Sequence, residues 1–144
     1  MKNLFLFTCL VLSMVLSACK PEPTEAPILQ PAQIANPASV NCEEKGGKLV
    51  TKNRGDLGEY AICVFETGRA CEEWALFRGE CPETGVDYAS YATTAAQFCV
   101  LTGNTYQSTA YPGTDQEQGT CTFPSGITCG AEEFYNGACS PYPE

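Results

Sequence analysis

Residues 63–81 read CVFETGRACEEWALFRGEC, and residues 121–139 read CTFPSGITCGAEEFYNGAC. Cys63, Phe65, Gly68, Cys71, Gly79 and Cys81 return at the same offsets as Cys121, Phe123, Gly126, Cys129, Gly137 and Cys139. Upstream, Cys42 and Cys99 complete two quartets, with spacings of 21, 8 and 10 and then 22, 8 and 10. Gly46 and Gly103 also correspond. Eight cysteines do not fall into two matched sets by chance. The chain carries an internal duplication, with one extra residue in the first loop of the second copy.

Each copy reads as helix, strand, strand, helix, which makes the fold a small disulfide-rich α+β one of tandem duplicated units at 36–82 and 88–140. Asn36-Pro37 looks like an N-cap with proline at the first helical position, and Gly46-Gly47 ends that helix. In the second copy, Thr93 caps a helix reaching Gly103. Strands are expected over Lys48 to Lys52 and Glu59 to Phe65, around a turn at Arg54-Gly55-Asp56. Their counterparts are Thr105 to Tyr111 and Gly119 to Phe123, joined through Pro112-Gly113. A short closing helix runs from near Cys71 to Gly79, and from Cys129 to Gly137 in the second unit.

Units of about 45 residues bury too little apolar surface to be secure alone. Two disulfides in each, at roughly 3 kcal/mol apiece for loops of this size, would make up the difference. Four cysteines permit three pairings, and spacing does not choose among them. The expected set is Cys42–Cys63, Cys71–Cys81, Cys99–Cys121 and Cys129–Cys139. The first bond of each unit would pin the opening helix to the second strand, and the second would clamp the closing helix. Zinc is the rival reading, but no C-x-x-C knuckle is present, and neither a metal nor a cofactor is expected.

Ahead of the units, Met1-Lys2-Asn3 gives a positive start and Leu4 to Leu16 an apolar run the length of a signal core. Leu16-Ser17-Ala18-Cys19 follows and resembles the bacterial lipobox. That resemblance implies a signal peptide at 1–18 and a diacylglyceryl group, with palmitate-type acylation, on Cys19. Losing Cys9 with the leader leaves an odd number of cysteines, and a thioether at Cys19 accounts for the unpaired one. Residues 19–35 form a Pro-rich tether, KPEPTEAPILQPAQIA after the anchor, with a polyproline-like reach of about 50 Å. No Asp follows Cys19, so by analogy with enteric sorting the chain is expected in the cell envelope, lipid-anchored at the outer membrane and facing periplasm or surface.

The run Asn36-Pro37-Ala38-Ser39-Val40-Asn41-Cys42, the Gly46-Gly47 pair and above all Gly68 to Cys81, with its Glu-Glu-Trp-Ala-Leu-Phe-Arg-Gly core, resemble the domain-of-unknown-function 333 family. That family consists of small bacterial envelope proteins, many of them lipoproteins and often labelled haemolysin. The likeness spans about Ala35 to Pro82. The second unit keeps the spacing but loses the Trp and Arg, so it reads as a diverged copy. The family supplies no catalytic residues.

Chemistry is bounded mostly by what the composition omits. The chain has 144 residues, net charge −9 and no histidine. Triads or Cys-His nucleophiles within the chain are therefore excluded, as are His-liganded zinc and haem, and no enzyme is expected. The acidity disfavours nucleic acid as a partner. Pore formation needs a long amphipathic helix or alternating barrel strands. After Cys19 the sequence offers only short apolar stretches such as Tyr60 to Phe65. Glu72-Glu73 are expected in the first turn of a helix, where they interact favourably with its dipole. Trp74, Leu76 and Phe77 are expected in the core, the alternative being an exposed recognition patch with Arg69 and Arg78. The two arginines are expected to pair with local glutamates. The expected function is a non-catalytic binding or interaction module, held to the membrane through Cys19 and facing an unknown envelope protein or glycan. The alternative is a protease inhibitor or haemolysin-labelled effector, for which Asn53 to Glu59 is the candidate loop.

Overall fold

A computed structural model describes residues 35–141. The expected signal peptide, Cys19 and the tether up to residue 34 lie outside the described residues. The first unit comprises α1 (Pro37–Glu44), β1 (Lys48–Asn53), β2 (Glu59–Val64), β3 (Ala70–Glu72) and α2 (Glu73–Phe77). The second comprises α3 (Thr94–Leu101), β4 (Thr105–Ala110), β5 (Gln118–Thr122), β6 (Thr128–Gly130) and α4 (Ala131–Tyr135). Each sheet is antiparallel, in the order β1-β2-β3 or β4-β5-β6. The fold is therefore a small α+β one.

The opening helices start as the sequence suggests. Asn36 accepts from the Ala38 N–H at 3.0 Å with Pro37 behind it, and Thr93 accepts from the Ala96 N–H at 3.2 Å. The third strand corrects the expected helix-strand-strand-helix order. Gly68 and Gly126 sit at φ 79° and 85°, a region open to glycine. The tight turn there sends the next residues back along β2 and β5. The Gly68 and Phe65 N–H groups donate to Phe65 and Arg69 carbonyls, each at 2.9 Å. Residues 70–72 and 128–130 thus pair as strands, and the closing helices begin two residues later than the cysteines that were expected to open them.

The register places Cys63 opposite Cys71 and Cys121 opposite Cys129. A single rung on one face of each sheet thereby carries the sulfurs that reach Cys42 and Cys81, or Cys99 and Cys139. The disulfides are Cys42–Cys63, Cys71–Cys81, Cys99–Cys121 and Cys129–Cys139. A Cβ on Gly47 would stand 2.2 Å from the Cys63 sulfur, so this position must lack a side chain for the chain to cross the first bridge.

The two units form one body. Leu49, Cys63 and Cys71 face the inner side of the first sheet with Ala75, Leu76 and Cys81. On its outer side, Ile62 and Ala70 pack against Leu101 of α3, with Tyr60, Val64, Val86 and Tyr88 around them. Helix α3 thus lies between the outer face of the first sheet and the second sheet, to which Cys99 is bonded. The segment between the units is fastened as well. Ala70 and Val86 exchange both backbone hydrogen bonds, at 3.0 and 2.9 Å. Among the described residues no helix is long and apolar enough to cross a membrane.

Candidate functional site

Helix α2 has five residues, one and a half turns, so it can bury only one stripe. Ala75 and Leu76 take that stripe, at 0 and 3% exposure. Trp74 and Phe77 lie three apart on the remaining face, at 39 and 47% exposure. The expectation that both belong to the core is corrected by this geometry, and it holds for Leu76 alone. The two rings meet edge to face with centroids 5.8 Å apart, a favourable arrangement that keeps an aromatic pair ordered at the surface. Their counterparts in α4 are Glu132, which is exposed, and Tyr135, which turns inward.

Arg78 caps the C-terminal end of α2, and its guanidinium makes a two-point ion pair with Glu80 at 2.7 and 2.8 Å. Arg69 does not pair with a glutamate as expected. Its guanidinium donates to the Gly85 carbonyl from Nε and Nη2, at 2.9 and 2.7 Å. The structure therefore brings Arg78 together with Trp74 and Phe77 on one short helix, while Arg69 serves the strap after Cys81.

Glu72 and Glu73 are buried, at 8 and 7% exposure. Glu72 is the N-cap of α2 and accepts the Ala75 N–H at 2.8 Å. Burial raises its carboxyl above the ordinary value, and hydrogen bonds from the Ala75 and Trp74 N–H groups pull it back. Glu73 reaches across to the start of α1, accepting from Asn36 Nδ2 at 3.0 Å and Ser39 Oγ at 2.6 Å. Both carboxylates are committed to helix ends. In the second unit, Glu73 and Ser39 become Ala131 and Ala96, and that polar bridge is absent. A cleft of about 810 Å³ opens near there, lined by Thr93, Glu117, Glu132, Glu133 and Tyr135 among others. Another, of about 540 Å³, lies between the units beside Arg78, Glu80, Phe123 and Phe134. No group of three or more acidic, Cys or His side chains that could hold a metal occurs among the described residues.

Tyr106, facing the second sheet's inner side, is pushed up to about 12, first by burial and then by its hydrogen bond to Glu117 at 2.8 Å.

The loop from Asn53 to Glu59 is anchored at Asn53 and Arg54 and exposed from Gly55 to Glu59. The Arg54 guanidinium donates to the Phe134 and Tyr135 carbonyls at the end of α4. It also lies 4.1 Å from the Phe98 ring centroid and 5.5 Å from that of Tyr135. Burial lowers the Arg54 pKa, while Tyr135 and then Tyr60 work in the opposite direction. Tyr135 Oη donates back to the Asn53 carbonyl at 3.0 Å. Sequence reasoning missed this latch. The available signal was the apolar Phe98, Val100 and Leu101 on α3, at positions where α1 has Asn41, Glu43 and Glu44.

A family profile described as Domain of unknown function (DUF333) matches residues 33–80, the first unit only. The chain is 41% identical over 81 residues to the uncharacterized protein YoaF of Escherichia coli K12, and equally to that of Escherichia coli O6:H1 and of Shigella flexneri. The matched stretch covers 54% of this chain and 89% of the relative. No solved structure matches.

Proposed function

We propose, from the premise that the chain belongs to the DUF333 family, that it is an exported, lipid-anchored envelope protein that binds a partner without catalysis. Helix α2 of the first unit makes the contact. The observation that carries this reading is the Trp74–Phe77 pair, ordered edge to face yet about half exposed on the run most specific to the family likeness. Tryptophan and arginine dominate binding hot spots, and Arg78 flanks the pair, with its charge met by Glu80. The lipobox-like Leu16 to Cys19 and the proline-rich stretch behind it support an anchor and a spacer. The partner is an envelope protein or glycan rather than a nucleic acid, in keeping with the net charge of −9. The protease-inhibitor alternative keeps its candidate loop, because Asn53 and Arg54 hold the base of that loop to α4 while Gly55 to Glu59 stay exposed.

The test is crosslinking in living cells from a photoreactive residue at Phe77, with the same residue at Glu132 as a control from the second unit. A partner captured from position 77 alone, and lost on Trp74→Ala, is the expected result. Equal capture from both positions overturns the assignment to α2. Palmitate labelling that survives Cys19→Ala overturns the anchor.

A further inference from the structure

The outer faces of the two sheets are equivalent by register, and on β2–β3 and β5–β6 they are opposite in character. On the first, Tyr60, Ile62, Val64 and Ala70 are closed under Leu101 and the segment carrying Val86 and Tyr88. On the second, the same positions are Gln118, Thr120, Thr122 and Thr128. Thr105 and Gln107 extend that face on β4, paired in register with Thr122 and Thr120, as the exposed Lys48 and Val50 extend the first on β1, paired with Val64 and Ile62. Thr122 and Thr128 share a hydroxyl contact at 3.2 Å, and both β4 side chains on this face are exposed. The opening helices differ in the matching way. Val100 and Leu101 are buried at 6 and 1% exposure, whereas Glu43 and Glu44 hold those places on α1 and are exposed.

We infer that the chain is a two-unit stack closed at both ends. The helix-on-sheet joint that fastens its units is one that copies of the chain do not repeat between themselves. The first sheet's outer face fits the opening helix of a following unit when that helix presents two apolar residues near its end. To extend the stack, α1 of a second copy must lay Glu44 over Thr120 and Thr128, where Leu101 lies over Ile62 and Ala70. A carboxylate buried there meets hydroxyls and no cation, which costs more than the contact returns. The complementary surface is also missing, because the threonine face has little apolar area to remove from water. Stacked repeats need such polar outer faces at their termini to remain discrete, and a head-to-tail joint that does not close on itself otherwise grows without limit.

The test remakes the ends in the chain carrying Cys19→Ser, checked for folding by circular dichroism. One variant has Glu43→Val and Glu44→Leu. The other has Thr120→Ile, Thr122→Val and Thr128→Ala. The expected result in sedimentation is a monomer for the unaltered chain and for each variant alone, and a doubled mass when the two variants are mixed. Folded variants that stay monomeric when mixed overturn the inference, as does an unaltered chain whose self-association is lost on Thr120→Lys. Independently, Leu101→Glu brings the terminal residue into the internal joint. It should lower the thermal midpoint by roughly 15 °C, and an unchanged midpoint overturns the inference without reference to folding of the other variants.

Discussion

Helices α1 and α3 have the same length of eight residues, a side-chain N-cap each, and a disulfide each to the middle strand of their sheet. One is an outer helix that buries only Ala38 and Cys42, and the other buries six of its eight residues at the centre of the molecule. The difference lies in four side chains. Ser39, Asn41, Glu43 and Glu44 stand on α1 where α3 has Ala96, Phe98, Val100 and Leu101. The two units share a scaffold set by cysteines and glycines, while the surface between the cysteines decides whether a unit ends the stack or fills it.

The comparison can be broken most forcefully at Phe98, which touches Tyr60, Phe134, Tyr135 and the Arg54 guanidinium. Phe98→Ala is expected to cost about 4 kcal/mol in denaturant unfolding. Asn41→Ala, its counterpart, should cost less than about 1 kcal/mol. Similar losses at the two positions would mean that the units do not differ in role. A middle-sized effect is expected at Glu73. Glu73→Ala gives the first unit the residue that the second carries at Ala131, and it removes the acceptor for Asn36 and Ser39. The loss should be about 1.5 kcal/mol, appearing in hydrogen exchange as faster opening of α1 with α3 unchanged. Equal acceleration of both helices would show that Glu73 supports the whole body rather than one unit.

The smallest effect sharpens the contrast between the two closing helices, capped by Glu72 in one unit and Gly130 in the other. Because burial raises the Glu72 carboxyl, its contribution is fully present below the ordinary carboxylate range and is lost as pH rises through the raised value. Gln keeps an acceptor for the Ala75 N–H and carries no charge. Glu72→Gln should therefore gain on the unaltered chain between pH 4 and pH 7, by a fraction of a kcal/mol. Urea midpoints at the two pH values measure it. A gain that shrinks with rising pH would contradict the direction of the shift.

Much of the scaffold was legible because it is written in punctuation. Cysteine spacing marked two matched units, while Asn36-Pro37, Thr93 and the paired glycines marked where helices start and chains turn. The third strands were not legible. Three residues between a turn and a helix carry no periodicity, and Glu72-Glu73 looks helical by propensity. Trp74 was misjudged for a related reason, since apolar type alone does not say which side of a five-residue helix finds a partner. The latch at Arg54 depends on a contact eighty residues away, with α4, and no local pattern announces it.

Among the described residues, every disulfide closes within its own unit, and none crosses the joint. A chain emerging with its N-terminus first offers Cys42, Cys63, Cys71 and Cys81 before Cys99 appears. An oxidant then chooses among three pairings twice, instead of among roughly a hundred once. The first half can be sealed while the second is still being delivered, and the noncovalent joint is made last. Order of arrival thus does the sorting that a mixed set of eight thiols would otherwise leave to trial and reshuffling.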